Sequence, residues 1–594
     1  MSYSAPIGEM KFLLKDLFDI GKKYEIKKNI DLDDNTIDSI LEEVSKLAED
    51  IISPMNRDGD LYPAILKNGE VVLPESFSRA YNAIAEGGWI GISGKPKYGG
   101  LGLPLIITTC VNEIFSSSCL SLALNPLMTQ GQIDALEQHG SEEIKKIFLP
   151  KLNSGEWSGT MNLTEPHAGS DVGALSSKAR KASDGTYRIT GQKIYVSWGD
   201  HCLSSNICHL VLARLTGSPE GTKGISLFLV PKYLPDNSGN ILSENNVVTI
   251  SLEQKMGLHG SPTAVLEYNN AKAWLIGEEN RGMGAMFTMM NNARLGVGVQ
   301  GLSQSELAVQ KAFDYANQRK QGRNLSSPQD VKTEIINHAD VRRNLLMMKS
   351  LTFVSRSLCF DTAISSDLAK INNDMELHER VSFLTPIAKA FCTDVGCKVA
   401  DLCIQVHGGI GYIEDAGISQ LYRDVRITAI YEGTNGIQAM DLAGRKMPQG
   451  MGRLLRRFFH PALAFIEVNR GDENLKEFVI PFEKALKGLQ KTSMFMAQKG
   501  LSNPYEIGAA ASDYMKQFGL VSMGYMWLLM LKTAFLKQDE DDFYKNKIII
   551  GRFFFERILP ETLSRAIAIG TGSKTMMSLP DDGFESANKF SGKA

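Results

Sequence analysis

Two clusters in the sequence carry the residue types that bind metals or phosphates, but neither has the right setting. His201-Cys202 and Cys208-His209 offer two imidazoles and two thiols. Their spacing matches no common zinc pattern, and the residues between them lie between two strand-like runs, so no metal is expected. Gly296-Val-Gly-Val-Gln-Gly301 is literally G-x-G-x-x-G. That fingerprint grips a pyrophosphate only where it turns a strand into a helix. Met286 to Leu295 before it read as helix, so these glycines should sit inside a helix and let a neighbouring helix approach. Three further groups are more informative together. The first is Met161-Asn-Leu-Thr-Glu-Pro-His-Ala-Gly-Ser-Asp171 with Gly191-Gln-Lys-Ile-Tyr-Val-Ser197. The second is Arg319-Lys-Gln-Gly-Arg323, and the third is Gln405-Val-His-Gly-Gly-Ile-Gly-Tyr412 with Ile430-Tyr-Glu-Gly-Thr-Asn435. Alone they read as a hairpin with turn residues, a solvated basic helix end and a Gly-rich loop.

The elements that must position these groups change character along the chain. Its 594 residues exceed one hydrophobic core and suggest roughly three or four domains. Residues 1–35 read as an extension. From Thr36 to Ile52 apolar residues recur at helical spacing (Ile37, Ile40, Leu41, Val44, Leu47, Ile51). With further helical stretches at 75–86, 106–115 and 142–149, residues 36–156 read as an α domain. Residues 157–280 turn to short runs of Val, Ile, Thr and Tyr between turns. The candidate strands are 187–197, interrupted at Gly191, then 225–230 and 247–252. Residues 281–446 are helical again, and Met447-Pro-Gln-Gly-Met-Gly452 looks like a linker. Residues 447–594 read as a C-terminal helical domain with helices at 475–496, 505–536 and 541–569, and a loose polar tail from Ser573. The fold class is therefore mainly α with a central β domain.

Composition narrows the function. Hydrophobic residues at 43% and charged residues at 22% suit a folded soluble protein. The net charge of −3 gives no global pull towards nucleic acid or an anionic membrane. Eight cysteines form no disulfide framework, and Cys392, Cys397 and Cys403 in one helical stretch fit reduced thiols in a cytosolic core. The start, MSYSAPIGEMKFLLKDLFDI, lacks the features of a signal or transit peptide, so a cytoplasmic location is expected. Gln517 to Leu531 is apolar but uncharged for only fifteen residues. A spanning helix needs about twenty, so a buried helix and no transmembrane segment are expected.

The three groups, in this order across an α–β–α chain, resemble the acyl-CoA dehydrogenase family. The resemblance covers residues 36–446 and rests on L-T-E-P-x-A-G-S-D from Leu163, Q-x-x-G-G-x-G-Y from Gln405 and Y-E-G-T from Tyr431. The N-terminal extension and the region after Lys446 resemble the family's longer branch. That branch includes 3-methylmercaptopropionyl-CoA dehydrogenases and broad-range bacterial fatty acyl-CoA dehydrogenases. The implied fold is an α domain, a β-barrel and a four-helix domain, here with an extra C-terminal helical domain. The implied cofactor is FAD, bound between two subunits, so a homodimer or higher oligomer is implied too.

The resemblance also implies residue roles. Leu163 and Thr164 would hydrogen-bond the flavin's pyrimidine edge, and Ser170 would meet flavin phosphate or the CoA moiety. Tyr195 and Ser197 would lie against the flavin ring, where many relatives carry Trp and Thr. Arg319 would reach the pyrophosphate from the neighbouring subunit, a task suited to a planar charged fork. Gln321 replaces the Phe common after it. Gln405 and Gly409 would hold the adenosine half, and Thr434 would add a contact. Gly436 stands where a glutamine is usual, so one adenine-side contact is missing. Arg294, Tyr431 and Gly433 would face the substrate, with Asn291 where relatives often have an acid.

Glu432 would be the base that removes the Cα proton of an acyl-CoA. Some relatives place that base just before an arginine on an earlier helix, but that position is Ala293 here. The proton is too weakly acidic for a carboxylate in water, so the site must stabilise charge on the thioester oxygen and raise the carboxylate's basicity. The Cβ hydride would pass to flavin N5 and the electrons to electron-transferring flavoprotein. Two rival readings remain. An acyl-CoA oxidase shares the first half-reaction and uses oxygen. A DNA-associated alkylation-response protein would use a basic face, with Arg445, Lys446, Arg453, Arg456 and Arg457 as the candidate. Those five charges more often mark a solvated helix or a membrane-surface contact, and no nucleic acid is expected.

Overall fold

Asp33 opens the first long helix by accepting a 2.7 Å hydrogen bond from the Thr36 N–H. Helix α1 (Asp34–Leu47) buries Ile37, Leu41 and Val44 at the predicted spacing. In this computed structural model residues 3–25, 32–323 and 332–585 are described, and the chain divides into two units. The first takes Met1–Asp374 and Cys392–Glu432, the second Met375–Phe391 and Gly433–Ala594.

In the first unit α2 (Glu75–Glu86), α3 (Leu105–Ser118) and α5 (Glu142–Asn153) follow the predicted stretches. α3 has no capping side chain of its own. Asp367 on a later helix accepts from Leu105 N (2.9 Å) and Ile106 N (3.0 Å), satisfying the orphan donors. The longest helix of this region, α4 (Leu120–His139), has no counterpart in the sequence reading. It is buried on almost every side, so its apolar residues show no stripe to detect. A small hairpin, Ile65–Lys67 with Glu70–Val72, also interrupts the helices.

Seven strands then form one sheet: β1 (Trp157–Asn162), β2 (Lys178–Lys181), β3 (Tyr187–Ser197), β4 (Asn206–Leu215), β5 (Ile225–Pro231), β6 (Val247–Leu252) and β7 (Thr263–Ile276). The order is β6-β7-β3-β2-β4-β1, with β5 bridging β7 and β4. β1 and β2 run parallel to β4, and the other pairs are antiparallel. Side chains alternate between two cores. Val211, Ala213, Phe228 and Val230 pack with Ile189, Leu266 and Tyr268. Leu210, Leu212, Leu227 and Leu229 point the other way, into a cluster with Trp157, Phe148 and Met286. With both faces covered, β4 and β5 read as nearly unbroken apolar runs.

Helix α6 (Gly282–Gln318) carries the six-residue glycine motif within it. A Cβ on Gly296 would lie 2.7 Å from Leu127, and one on Gly301 would lie 2.5 Å from the Cys392 carbonyl. These glycines are contact points for neighbouring helices. The Arg319–Arg323 stretch is not a simple helix end. Arg319 closes α6, and Lys320–Arg323 pairs with Lys332–Glu334. The unit continues through α7 (Ala339–Asn372) and part of α8 (Met375–His407).

The second unit is helical: the start of α8, then α9 (Gln449–Asn469), α10 (Lys476–Ser502), α11 (Pro504–Lys537), α12 (Asp542–Arg557) and α13 (Glu561–Gly570). Gly450, Met451 and Gly452 all have left-handed backbones and break the chain before α9 proper. The stretch read as one helix over 541–569 is two, because Pro560 stands between α12 and α13. The tail is not loose at its start. Ser573 is buried, and its hydroxyl donates to Glu506 at 2.6 Å. Helix α11 is long and apolar enough to cross a membrane, but 72% of its most apolar window is buried against the protein. Phe518 packs against Phe383 and Phe458.

Candidate active site

The turn that carries Glu432 is held by its backbone and its neighbours. Glu432 has φ +57° and Gly433 φ +84°. A left-handed glutamate costs roughly 1–2 kcal/mol, so surrounding contacts must hold it. Arg294 on α6 donates from Nε to the Glu432 carbonyl at 3.4 Å. Arg294 also lies over the Phe287 ring, 5.8 Å from its centroid. Tyr431 donates its hydroxyl to Gln300 Oε1, two turns further along α6. Burial, then the Glu432 charge, pushes the Tyr431 hydroxyl well above its ordinary pKa, which keeps it a donor. In the second unit Lys389 donates to the Gly433 carbonyl at 2.8 Å and to Asn435 at 3.0 Å. Thr434 caps the short helix Asn435–Met440 through Ile437 N. Ala293, the alternative base position, is a buried alanine.

A second constellation forms where the end of β1 meets β3. The Ile194 N–H donates to the Thr164 carbonyl at 3.0 Å, bringing Thr164 next to the stretch that carries Tyr195. Lys193, fully buried, donates to the Leu163 carbonyl (2.9 Å) and to Glu165 (2.8 Å). Glu165 also accepts from Ser176 N, Ser176 Oγ and Ser177 N at 2.7–3.0 Å. Burial alone would raise its pKa, but the Lys193 charge and these donors outweigh it and hold the carboxyl at about 2. Burial pulls the Lys193 ammonium down to about 8 against the attraction of Glu165. Tyr195 is left-handed (φ +57°) and 60% exposed, so its ring stands off the strand. Ser197 pairs with Thr263 on β7, and Ser170 is exposed in its turn.

The remaining predicted residues gather at helix ends. Arg319 is exposed, and its guanidinium has no partner among the described residues. Gln405 and Gly409 are exposed around Gly408, whose φ of +61° ends α8. The Tyr315 ring stacks on His407 at 4.4 Å, which brings the ends of α6 and α8 together.

Sequence reasoning missed Lys193, Gln300 and Lys389. Lys193 had a signal: it falls in the inward phase of β3 with Tyr187 and Ile189, where a lysine needs a buried counter-charge. The left-handed Tyr195 and Glu432 had none. Among the described residues only Trp198, Leu258 and Met451 share that backbone without being Gly, Asn or Asp. The two rejected motifs also have other work. His201 contacts Ser158 at 2.8 Å and His209 contacts Thr160 at 2.7 Å, and burial pulls both imidazoles down to about 3. The basic stretch is largely paired within its own unit. Arg445 meets Asp441, Arg453 meets Glu379, and Arg457 meets Glu376 and Glu379. That leaves little free charge for a nucleic-acid face.

An α domain, a β sheet and a helical domain with a glutamate turn define the acyl-CoA dehydrogenase class. Comparison with known proteins agrees along the chain. Residues 36–156, 160–271 and 280–447 match the N-terminal, middle and C-terminal domains of acyl-CoA dehydrogenase. Residues 458–580 match the domain described as acetyl-CoA dehydrogenase C-terminal like. The 3-methylmercaptopropionyl-CoA dehydrogenase of Ruegeria pomeroyi is 39% identical, over 94% of this chain and 97% of its own. The broad-specificity linear acyl-CoA dehydrogenase FadE5 of Mycobacterium tuberculosis is 31% identical, over 98% and 100%. Two solved structures share the fold. Caenorhabditis elegans ACDH-11 in complex with C11-CoA has a TM-score of 0.77 and 22% identity, over 94% of this chain and 93% of its own. An acyl-CoA dehydrogenase from Bacillus anthracis complexed with FAD has 0.75 and 23%, over 93% and 91%. This chain belongs to the acyl-CoA dehydrogenase family, whose members are FAD flavoproteins. It is an oxidoreductase of that class.

Proposed function

We propose that the chain oxidises an acyl-CoA to its trans-2-enoyl-CoA with FAD, Glu432 removing the Cα proton, and that electron-transferring flavoprotein takes the electrons. The observation that carries this reading is Glu432 itself, a left-handed glutamate whose carbonyl is held by Arg294. Such a backbone outlier, supported from a neighbouring helix, is typical of a positioned reactive group. The residues present also fit the cofactor. Among the described residues neither the Thr164 hydroxyl nor the Arg319 guanidinium has a partner, and Tyr195 presents its ring to the outside. When bound, FAD supplies the two-electron acceptor for the Cβ hydride.

The chain's own residues then have distinct tasks. Leu163 and Thr164 bind the flavin's polar edge, with Lys193 and Glu165 fixing the strand end that presents them. Tyr195 and Ser197 orient the ring, and Ser170 meets phosphate. Arg319 takes the pyrophosphate of a partner subunit's cofactor, and Gln405, Gly409 and Thr434 hold the adenosine half, which makes the active form at least a dimer. Arg294, Tyr431 and Gly433 shape the thioester side, and the Glu432 N–H donates to the thioester oxygen as charge builds there. A cytoplasmic enzyme is the reading consistent with eight free cysteines. Purified protein should be yellow and release FAD on denaturation, and a panel of acyl-CoAs should bleach it anaerobically. Recovery of FMN, or no bleaching by any acyl-CoA, overturns the reading.

A further inference from the structure

One cavity in the first unit lies beside the helical stretch that supports the proposed base. Asn292, Leu295, Gly296 and Val299 line it from α6, and their spacing places them on one helical face. Gln300, one residue further round, holds Tyr431, and Arg294 holds the Glu432 carbonyl. From the other side the cavity is lined by α3 and α4, including Asn112, Leu127 and Asp134. Its volume is about 30 Å³, room for roughly two water-sized groups.

The wall is mostly carbon, yet it contains a carboxylate. Asp134 Oδ2 accepts from Asn292 Nδ2, and Oδ1 has no partner among the described residues. Asn112 and Gln130 beside it are bonded to each other at 2.9 Å, and Gln130 continues to the Trp89 carbonyl. Burial, with Glu137 and Asp367 nearby, pushes the Asp134 carboxyl up to about 6 against the pull of Lys370 and Asn292. A pocket built only for an alkyl end has no use for such a group. An apolar tail would strip water from Asp134 and return no hydrogen bond.

We propose that this cavity receives the distal end of a short acyl chain that carries a hydrogen-bond donor, a hydroxyl or an ammonium, which binds the free oxygen of Asp134. The proposal rests on the acyl-CoA dehydrogenase reading and names its substrate class. A donor-tipped chain satisfies the carboxylate, and an ammonium also neutralises it. A methyl-tipped chain of equal length leaves it unpaired. Sites that hydrogen-bond a substrate group discriminate strongly against analogues lacking it.

The test compares CoA thioesters matched in length: hexanoyl against 5-hydroxypentanoyl and 5-aminopentanoyl, and pentanoyl against 4-hydroxybutyryl. Anaerobic flavin bleaching gives kcat/KM, and calorimetry gives Kd. The FAD-loaded wild type should favour the donor-tipped chain by roughly tenfold or more in both. The Asp134→Leu variant should lose the preference, and Asp134→Asn should keep part of the hydroxyl preference while losing the ammonium one. Unequal response to hydroxyl and ammonium tells which donor the site takes. Equal or better use of the methyl-tipped chains by the wild type overturns the proposal and leaves the dehydrogenase reading intact. If no thioester bleaches the flavin, both fall. The wild-type panel decides alone should Asp134→Leu fail to fold.

Discussion

Glu165 and Glu432 are both glutamates of the family motifs in the first unit, and the structure handles them in opposite ways. Glu165 is fixed through its carboxylate, with three hydrogen-bond donors and a buried ammonium around it. Its charge is locked, and it pins the strand end beneath Leu163. Glu432 is fixed through its backbone, by Arg294 on its carbonyl and an unusual φ. A carboxylate crowded by donors becomes too weak a base to accept a carbon acid's proton. Holding the main chain instead fixes where the side chain starts. The first glutamate is an anchor and the second a reagent.

The sharpest break in that contrast is Glu432→Gln. The variant should fold and keep FAD, because the proposed cofactor contacts lie elsewhere, while flavin reduction falls at least about 10²–10⁴-fold. Stopped-flow bleaching measures this, and a rate within a few-fold of wild type would remove Glu432 from its role. Glu165→Gln should do the reverse. It strands the buried Lys193 and should cost about 3–5 kcal/mol of stability in urea unfolding. Glu165→Gln with Lys193→Met should recover much of that loss. Unchanged stability in the single variant would mean the pair is not an anchor.

A smaller effect is expected at Arg294→Lys, which cannot reproduce the guanidinium's reach to the Glu432 carbonyl. It should lower the bleaching rate about five- to tenfold with little change in FAD content. A wild-type rate would show that the turn holds itself. The smallest effect at neutral pH lies in acid titration. Glu165 has its pKa depressed from the usual 4.5 to about 2. Its contribution is therefore fully present above about pH 4.5 and is lost as pH falls towards 2. Lys193 acts in the opposite sense, since burial makes its ammonium costly. The acid-side direction holds because four donors stabilise the carboxylate. The wild type should lose more stability across that window than the double variant.

The fold class could be read from the texture of the sequence, because runs of β-branched residues between helical periodicities survive burial as a pattern. Helix α4 could not, since burial on all sides erases the stripe that reveals a helix. Strands β4 and β7 were passed over too. β4 carries His209 and Arg214 within its apolar run, and β7 is broken by register shifts near Asn269 that disturb its alternation. Glu432 was legible as a motif, but its supports were not. Gln300 lies far away in sequence, and nothing in its local spacing marks it. Asp134 was hidden inside α4, where an acid in an apolar helix gives no hint of the cavity beside it. The break between α12 and α13 was readable in Pro560 and was overlooked.

The second unit is assembled from two separated pieces of chain, and that has a consequence for how the protein is made. Phe383 and Phe391 on α8 are nearly sealed from water. Their partners come from α11, where Phe518 meets Phe383 and Gly519 leaves just enough room for Phe391. During synthesis α8 leaves the ribosome well before α11 exists. For that interval its aromatic face has nothing to pack on. A nascent chain stalled after residue 447 should bind chaperones that recognise exposed aromatics, and one released past α11 should not. The C-terminal region is thus less an addition to a finished enzyme than the closing half of a core begun earlier.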